Sequence, residues 1–319
     1  MNKQSYADGN LTLRGFQDKA DFETVAQIRN KSVQKQGGSA TPIGAAMIEG
    51  LVSSPERLCI AQVDGDPVGF ILVAGARGPR LDEFGTIKGK SWLFIGQTCV
   101  PEHEEKGIEK KLLDWLVAYT PEMRIARLIK FARETSSHAY INGIIEEARF
   151  RERLRYYYMQ LEMTAPPPAP RELPGELELI NFGGEQDFDL LWSVLEPAFN
   201  YLERDPDSYK QGKAIFGSIK SAYFPICLES ISKKPVGTIA LATSENRGQI
   251  ATLGVIPAFQ GRGIGSLLME RAIDHAWHMG IKTVDLSVRV KNPQAIGLYE
   301  RFGFQKVPER TTIVLQKDV

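Results

Sequence analysis

A glycine-rich segment in the second half of the chain, Gln260–Gly265 (QGRGIG), has the composition of an anion-binding turn. It follows an apolar stretch that ends near Val255, and an amphipathic stretch begins at Ile264, which predicts strand, turn and helix. A helix start leaves backbone N–H groups unpaired and carries the positive end of the helix dipole, so it suits a diphosphate. Glycines let the backbone approach phosphate oxygens, and Arg262 adds a charged hydrogen bond. The glycine-rich string alone is weak evidence for an anion-binding site, because a chain with 29 glycines is expected to contain such a pattern by chance.

A second motif follows in the expected order. After a predicted strand, Thr283–Val288, comes Asn292–Phe304 (NPQAIGLYERFGF). This segment resembles the N-x-x-A-x-x-x-Y-x-x-x-G-F signature of the GNAT acetyltransferases, and QGRGIG resembles their acetyl-CoA loop. Since a helix and a strand of suitable length separate the two motifs, residues 177–319 are identified as similar to a GNAT domain.

The resemblance implies a bent, mixed sheet in which the strands Ile250–Val255 and Thr283–Val288 splay apart and admit acetyl-CoA. The pantetheine arm would pair with the first of these strands, and a backbone N–H there would polarise the thioester carbonyl. Asn292 would contact the CoA arm and begin a helix. The implied acetyl-CoA-binding residues are Leu253, Gly254, Val255, Gln260, Gly261, Arg262, Gly263, Ile264, Gly265, Ser266 and Asn292.

The resemblance also assigns the chemistry to Tyr299. Aminolysis of a thioester needs a neutral amine and a proton for the departing thiolate, and a tyrosine hydroxyl near the sulfur can donate that proton or a hydrogen bond. The alternative is a helix tyrosine that packs on the sheet. The matching register of Ala295, Gly303 and Phe304 favours the catalytic role.

The expected general base is missing. Many family members carry a carboxylate near the start of the strand before the glycine-rich turn, and here Gln249 stands at that place. A glutamine side chain cannot accept the proton of the amine. Glu229 or Glu245 on neighbouring elements, a chain of waters, or an amine that is already neutral are the alternatives that the sequence leaves open.

The first half of the chain repeats the plan of the second half with a changed site. Pro101 matches Pro257 in the alignment of the two halves. Glu109 replaces the last glycine of the turn, and Ile145 stands in the place of the tyrosine. Like charges repel phosphates, and a side chain hinders close backbone approach. The first half is therefore predicted to be a degenerate GNAT-like domain.

A proline-rich segment, residues 164–176, predicts a linker between the halves. The expected domains are 1–163, degenerate, and 177–319, catalytic. The predicted fold class is α/β (α+β), with two GNAT-like domains that are each a bent mixed sheet flanked by helices. Family members with two such domains in one chain, mycothiol synthase among them, share this plan.

The composition limits which binding partners and which cellular location are expected. Basic and acidic residues number 39 each, so no overall field attracts nucleic acid or an anionic membrane. The basic and aromatic run 149–163 predicts a strand rather than a nucleic-acid site. No signal peptide and no apolar run of about 18 residues are found, and three cysteines lack metal or redox spacing. These features predict a cytoplasmic protein without metal.

The sequence therefore predicts an N-acetyltransferase that moves an acetyl group from acetyl-CoA directly to a primary amine of a small molecule, with the C-terminal domain catalytic. The alternative is an acyl-CoA-binding sensor or regulatory module that acylates no amine. The protein is expected to act as a monomer or a homodimer. The acceptor and the acyl-chain preference are not encoded in these motifs.

Overall fold

The computed structural model of the chain describes residues 4–6, 9–35, 43–51, 57–75, 91–122, 127–133, 139–199, 209, 213, 222–244 and 246–319. The described residues form two compact units. Unit 1 contains those up to Leu154 together with Thr312–Val319, and unit 2 contains Arg155–Thr311. Each unit has its own core of buried apolar side chains.

Unit 1 is a mixed sheet with helices. Its strands, in sheet order, are β1 (Gln4–Tyr6), β2 (Gly9–Gly15), β3 (Leu58–Val63), β4 (Asp66–Gly75), β5 (Ser91–Cys99), β6 (Arg127–Arg133) and β15 (Thr312–Asp318). Neighbouring strands are antiparallel except β5 and β6, which are parallel. The described helices of this unit are α1 (Ala20–Lys35), α2 (Ala45–Leu51), α3 (Ile108–Tyr119) and α4 (Ala139–Glu147).

Unit 2 repeats this arrangement. Its strands, in sheet order, are β7 (Arg151–Glu162), β13 (Thr283–Arg289), β12 (Arg247–Val255), β11 (Pro235–Ser244), β10 (Pro225–Glu229) and β8 (Leu177–Asn181), while β9 (Ala222–Tyr223) pairs with β11 and β14 (Gln305–Lys306) pairs with β7. Only β12 and β13 are parallel among the described pairs. The described helices are α5 (Phe188–Phe199), α6 (Ile264–His278) and α7 (Pro293–Arg301). The predicted fold class is confirmed.

The compact units differ from the predicted domain boundaries in two segments. The last strand of the first half, β7, pairs with β13 and lies in unit 2 from Arg155 onward. The last strand of the chain, β15, pairs with β6 and lies in unit 1. The two halves have therefore exchanged their final strands. Similarity between the halves places both strands correctly as strands, but it does not specify which sheet each one joins.

The N-terminus of α6 lies close to the sheet of unit 2 because of one glycine in β11. A Cβ built at Gly237 would lie 3.1 Å from Ile264 Cγ2 and 3.3 Å from Leu268 Cδ1, so a larger residue would push the first turn of α6 away. Buried side chains of α6 recur at spacings of three and four, which is the pattern of a helix that packs one face on a sheet. They are Ile264, Leu267, Leu268, Met269, Ala272, Ile273 and Ala276.

Both sheets contain a bulge at the equivalent place in the repeat. The pairing of β4 with β5 skips Ile95, and the pairing of β11 with β12 skips Ala251. These residues stand six positions before Pro101 and Pro257, respectively. A bulge bends its strand and increases the local twist. In unit 2 it lies where β12 separates from β13, so it contributes to the gap described below.

The proline-rich segment, which the sequence predicted to be a linker, has no regular secondary structure between residues 164 and 174. It is held against α6, because Arg171 donates from Nε to Glu270 Oε1 at 2.8 Å and accepts at its carbonyl from Arg271. In the part of the chain that the structure describes, no helix has the length and apolarity to cross a membrane.

Candidate functional site

A cavity of about 360 Å³ in unit 2 brings the predicted site residues together. It extends along the end of β12, the first turn of α6 and one face of α7. Its lining contains every predicted site residue except Arg262. The full lining is Ala198, Phe199, Leu253, Gly254, Val255, Phe259, Gln260, Gly261, Gly263, Ile264, Gly265, Ser266, Asn292, Gln294, Ala295, Leu298, Tyr299 and Arg301.

The glycine-rich turn presents bare backbone at one end of the cavity. Gly261 and Gly263 have φ of 76° and 81°, a left-handed region that other residues enter only with strain. A Cβ at either position would meet no atom within 4 Å, so the backbone there is open. Gly263 is the N-cap of α6 and no side chain caps the helix. The first amides of α6 are therefore available to an anion, as a diphosphate requires.

Two side chains of the turn have different surroundings. Gln260 donates from Nε2 to the carbonyl of Val255 at 3.0 Å, which fixes the turn to the end of β12. The guanidinium carbon of Arg262 lies 4.6 Å from the ring centroid of Phe259, outside the cavity lining. The structure therefore brings Gln260 into the site and leaves Arg262 at its exposed rim.

The strand edge beside the cavity is unpaired over the predicted residues. β12 and β13 pair only from Arg247–Ile250 with Thr283–Leu286, and Ala251 forms the bulge. Beyond this point Leu253, Gly254 and Val255 keep β11 on one side and have no strand on the other within the described chain. An extended ligand arm can occupy that edge and bond to the backbone, as an added strand would. The predicted splay is confirmed.

Helix α7 places a tyrosine on the opposite wall. Asn292 begins α7, and its Oδ1 accepts from the Ala295 amide at 3.1 Å. Tyr299 lies two turns later with 8% of its surface exposed. No described residue hydrogen-bonds its hydroxyl in the structure. Burial raises the pKa of Tyr299 to about 12, so the hydroxyl is a proton donor over the whole neutral range.

The cavity contains no general base in its described lining. None of the residues that line it is Asp, Glu or His. Gln249 is exposed on β12 and lies outside the lining. Glu229 accepts a hydrogen bond from Ser232 in the turn after β10, so it does not reach the cavity. Glu245 lies outside the described residues.

Sequence reasoning missed several lining residues. Gln294, Leu298 and Arg301 follow Asn292 on α7, and helical spacing from Tyr299 was the available signal for them. Phe259 follows Pro257 in the turn. Ala198 and Phe199 come from the end of α5, and nothing in the local sequence connects that end to β12.

A polar cluster at the point where the strands separate was also missed. Arg247 donates from Nε and Nη2 to the Asp285 carboxylate at 3.0 and 2.9 Å. Burial and the hydrogen bond with Asp285 raise the pKa of Tyr158, a residue of β7. The guanidinium carbon of Arg310 lies 3.7 Å from the Tyr158 ring centroid. These contacts connect β7, β12 and β13. The available signal was one acidic residue inside the apolar strand TVDLSV.

The equivalent turn of unit 1 has a buried glutamate next to it. Gly107, with φ of 92°, is the N-cap of α3, as Gly263 is for α6. Glu109 has only 2% of its surface exposed, and its Oε1 accepts a hydrogen bond from the Cys99 thiol at 2.9 Å. Ile145 is fully buried. A carboxylate therefore lies beside the helix start where unit 2 has Gly265.

Three comparisons relate the chain to known proteins. Residues 188–304 match the sequence model described as Acetyltransferase (GNAT) family. A mycothiol acetyltransferase of Propionibacterium freudenreichii subsp. shermanii is 28% identical over 166 residues, which cover 49% of this chain and 52% of that protein. N-alpha-acetyltransferase MAK3 of Arabidopsis thaliana is 34% identical over 137 residues, which cover 41% of this chain and 67% of that protein. The chain thus matches about half the length of the first relative.

Structural similarity extends over nearly the whole chain. A tandem GNAT protein from the clavulanic acid biosynthesis pathway, solved without AcCoA, has a TM-score of 0.72 to this chain. The two are 13% identical in sequence, and the match covers 97% of this chain and 98% of that one. At this identity the likeness shows the fold, with two domains in one chain, and nothing about substrates.

Proposed function

Because the chain belongs to the GNAT acetyltransferase family, we propose that unit 2 is an acetyl-CoA-dependent N-acetyltransferase that acts directly on a primary amine of a small molecule. One observation carries the proposal. A single cavity contains bare helix amides at one end, an unpaired strand edge along its side, and a buried tyrosine hydroxyl. These are the three contacts that a diphosphate, an amide-bearing arm and a departing thiolate require.

The residues have separate roles in the proposed reaction. Acetyl-CoA supplies an acetyl group activated as a thioester. The first amides of α6 hold its diphosphate, and backbone N–H groups of Leu253 to Val255 orient the arm and stabilise negative charge on the carbonyl oxygen. The amine nitrogen forms a bond to the carbonyl carbon, and the carbon–sulfur bond breaks. The Tyr299 hydroxyl donates a hydrogen bond to the sulfur as negative charge develops there, and the departing thiolate takes up any proton it needs from solvent.

The amine must lose a proton without help from a carboxylate in the described lining. We assign this step to solvent, or to an amine that arrives neutral. Since the chain offers Gln249 where relatives of this type often have a carboxylate, the acceptor is expected to have an amine pKa near or below the working pH. The proposed location is the cytoplasm, where the three buried cysteines stay reduced.

The experiment that tests the proposal follows release of CoA thiol from acetyl-CoA with a panel of small primary amines. Tyr299→Phe is expected to lower kcat about 100-fold or more, the usual range for loss of a general acid, while acetyl-CoA still binds. Tyr223→Phe is the matched control, because Tyr223 is partly buried in the same unit and lies outside the cavity lining. Turnover that is unchanged by Tyr299→Phe would contradict the assigned role.

A second candidate is a binding module in which acyl-CoA occupancy controls a partner. The absence of Asp, Glu and His from the described lining favours it, because the cavity then holds the cosubstrate without a base. The same experiment separates the two. Tight binding of acetyl-CoA with no thiol release from any amine supports the module, whereas thiol release that depends on the amine supports the enzyme.

A further inference from the structure

The end of helix α5 closes the cavity over β12. Ala198 and Phe199 both line it. A Cβ built at Gly254 would lie 3.1 Å from Phe199 Cε2 and 3.4 Å from the Ala198 Cβ. The aromatic ring therefore rests directly on the backbone of the unpaired strand segment, with no space between ring and strand.

The position of the ring is fixed by its helix. Leu191, Leu195 and Phe199 are four residues apart, so they share one face of α5, and the first two are fully buried in the core of unit 2. Pro197 lies within the last turn of this helix. Its ring restricts the backbone immediately before Ala198 and Phe199. The ring of Phe199 is thus part of a packed element.

The direction of the bound thioester follows from the proposed function, on which this inference rests. With the diphosphate at Gly263, the arm runs along the strand edge toward Gly254 and Leu253, and its acyl group arrives beside Tyr299. Phe199 and Tyr299 line the same cavity, and the Phe199 ring covers the strand at Gly254, so an acyl group bound there lies in a space that is bounded by an aromatic ring on a packed helix.

We infer that Phe199 sets the acyl-chain length: the cavity accepts acetyl-CoA and rejects acyl groups of four or more carbons, and the ring of Phe199 is the barrier. Packed sites resist added methylenes because the atoms around them are already in contact, as the Phe199 ring is with the strand at Gly254. One methylene in such a pocket changes selectivity by about 10- to 200-fold. Butyryl adds two methylenes to acetyl, so discrimination against it is expected to be at least about tenfold.

The test measures binding, so it needs no knowledge of the acceptor. Calorimetry of the full chain gives Kd for CoA, acetyl-CoA and butyryl-CoA. In the wild type, the ratio of Kd for butyryl-CoA to Kd for acetyl-CoA is expected to be at least about ten. In Phe199→Ala the ratio is expected to approach one, and Phe199→Leu, which keeps an apolar helix face, should give an intermediate ratio.

A control variant at the other end of the same cavity separates chain selection from general binding. Phe259 lines the cavity beside the glycine-rich turn. Phe259→Leu is expected to change all three Kd values by the same factor and to leave the ratio unchanged. Thermal unfolding of each variant checks that the fold persists.

Two results would overturn the inference. The wild type binds butyryl-CoA as tightly as acetyl-CoA, or Phe199→Ala keeps the wild-type ratio. If none of the three ligands binds, the proposed function itself fails, which is a different outcome from equal binding of all acyl groups.

Discussion

Burial determines the acid–base properties of the Tyr299 hydroxyl. Desolvation raises the pKa of its hydroxyl to about 12, and no described residue competes for its proton. A tyrosine in this state stays protonated and can donate a hydrogen bond to the developing thiolate; because a thiol is the stronger acid, with a pKa near 8.5 in water, complete proton transfer from the tyrosine to the sulfur is uphill. The missing carboxylate and the retained hydroxyl therefore belong to different steps of the proposed reaction.

The raised pKa predicts the shape of the pH–rate profile. The donor must be protonated, and a pKa of about 12 keeps it so, which means that Tyr299 causes no descending limb below about pH 10. The rate is expected to rise with pH as the acceptor amine loses its proton, and then to level off. Initial rates of thiol release from pH 6 to 10 measure this profile. A fall in kcat with an apparent pKa below 9 would contradict the assignment of Tyr299 as donor.

The Asp285 cluster predicts an effect on stability. Asp285 has 9% of its side chain exposed and Arg247 has 46%, so the ion pair is shielded on one side only. Asp285→Asn removes the charge from a hydrogen-bonded pair and is expected to cost about 1–3 kcal/mol in the free energy of unfolding. Urea unfolding measures it.

Glu178→Gln is the control for that change. Glu178 pairs with Lys233 at 2.7 Å on a more exposed surface, and such pairs contribute about 0–1 kcal/mol. Equal losses in the two variants would show that the Arg247–Asp285 contact has no special role in holding β12, β13 and β7 together.

At the scale of elements, the site results from a strand pair that separates. β12 is bound to β11 along its full length, but it leaves β13 after Ile250. The bulge at Ala251 bends β12 at that point, and the Arg247–Asp285 pair holds the two strands together just before it. The cavity therefore forms between elements that are firmly packed on either side.

The exchange of final strands leads to a prediction about hydrogen exchange in β6. Deleting residues 312–319 removes β15, whose residues pair with Arg127–Arg133. Backbone amides that lose a strand partner become open to solvent, so hydrogen exchange in β6 is expected to accelerate strongly, whereas β3, held between β2 and β4, should stay protected. Exchange followed by mass spectrometry measures this. Unchanged protection of β6 in the shortened chain would show that β15 is dispensable for unit 1.

At the scale of the whole molecule, two similar units are expected to bind one cosubstrate. Unit 1 has a helix start with a left-handed glycine, yet the Glu109 carboxylate lies beside it. Carboxylate oxygens beside that helix start disfavour the approach of phosphate oxygens. Calorimetry should therefore give one acetyl-CoA per chain. A stoichiometry of two would show that the first half has kept a cosubstrate site.

Much of unit 2 was predictable from sequence because local patterns determine it. The glycine-rich turn requires positive φ at Gly261 and Gly263, the apolar periodicity specifies α6, and Asn292 caps α7. Fixed spacing between these features placed eleven of the twelve predicted residues in one cavity. Arg262 was placed outside it, because its side chain lies over Phe259, a contact that spacing does not encode.

The remaining features depend on contacts between distant segments. Phe199 reaches Gly254 only because α5 packs on the sheet, and Tyr158 reaches Asp285 only because β7 joins the sheet of unit 2. Repeat similarity cannot distinguish a strand that joins its own half from one that joins the other half. The domain boundaries expected from the linker divide the chain into consecutive segments, whereas each compact unit contains the final strand of the other half.

The central proposal is that the first turn of α6 binds a diphosphate. Gly263→Glu places a negative charge at that turn and should weaken acetyl-CoA binding about a thousandfold, since two unit charges about 4 Å apart near a protein surface repel by about 4 kcal/mol. Gly107→Glu introduces the same side chain at the equivalent left-handed position of unit 1 and controls for backbone strain. Calorimetric titration of wild type and both variants with acetyl-CoA is the most direct measurement. One tight site is expected, which Gly263→Glu weakens about a thousandfold and Gly107→Glu leaves intact; wild-type affinity in Gly263→Glu would contradict the placement of the diphosphate at α6.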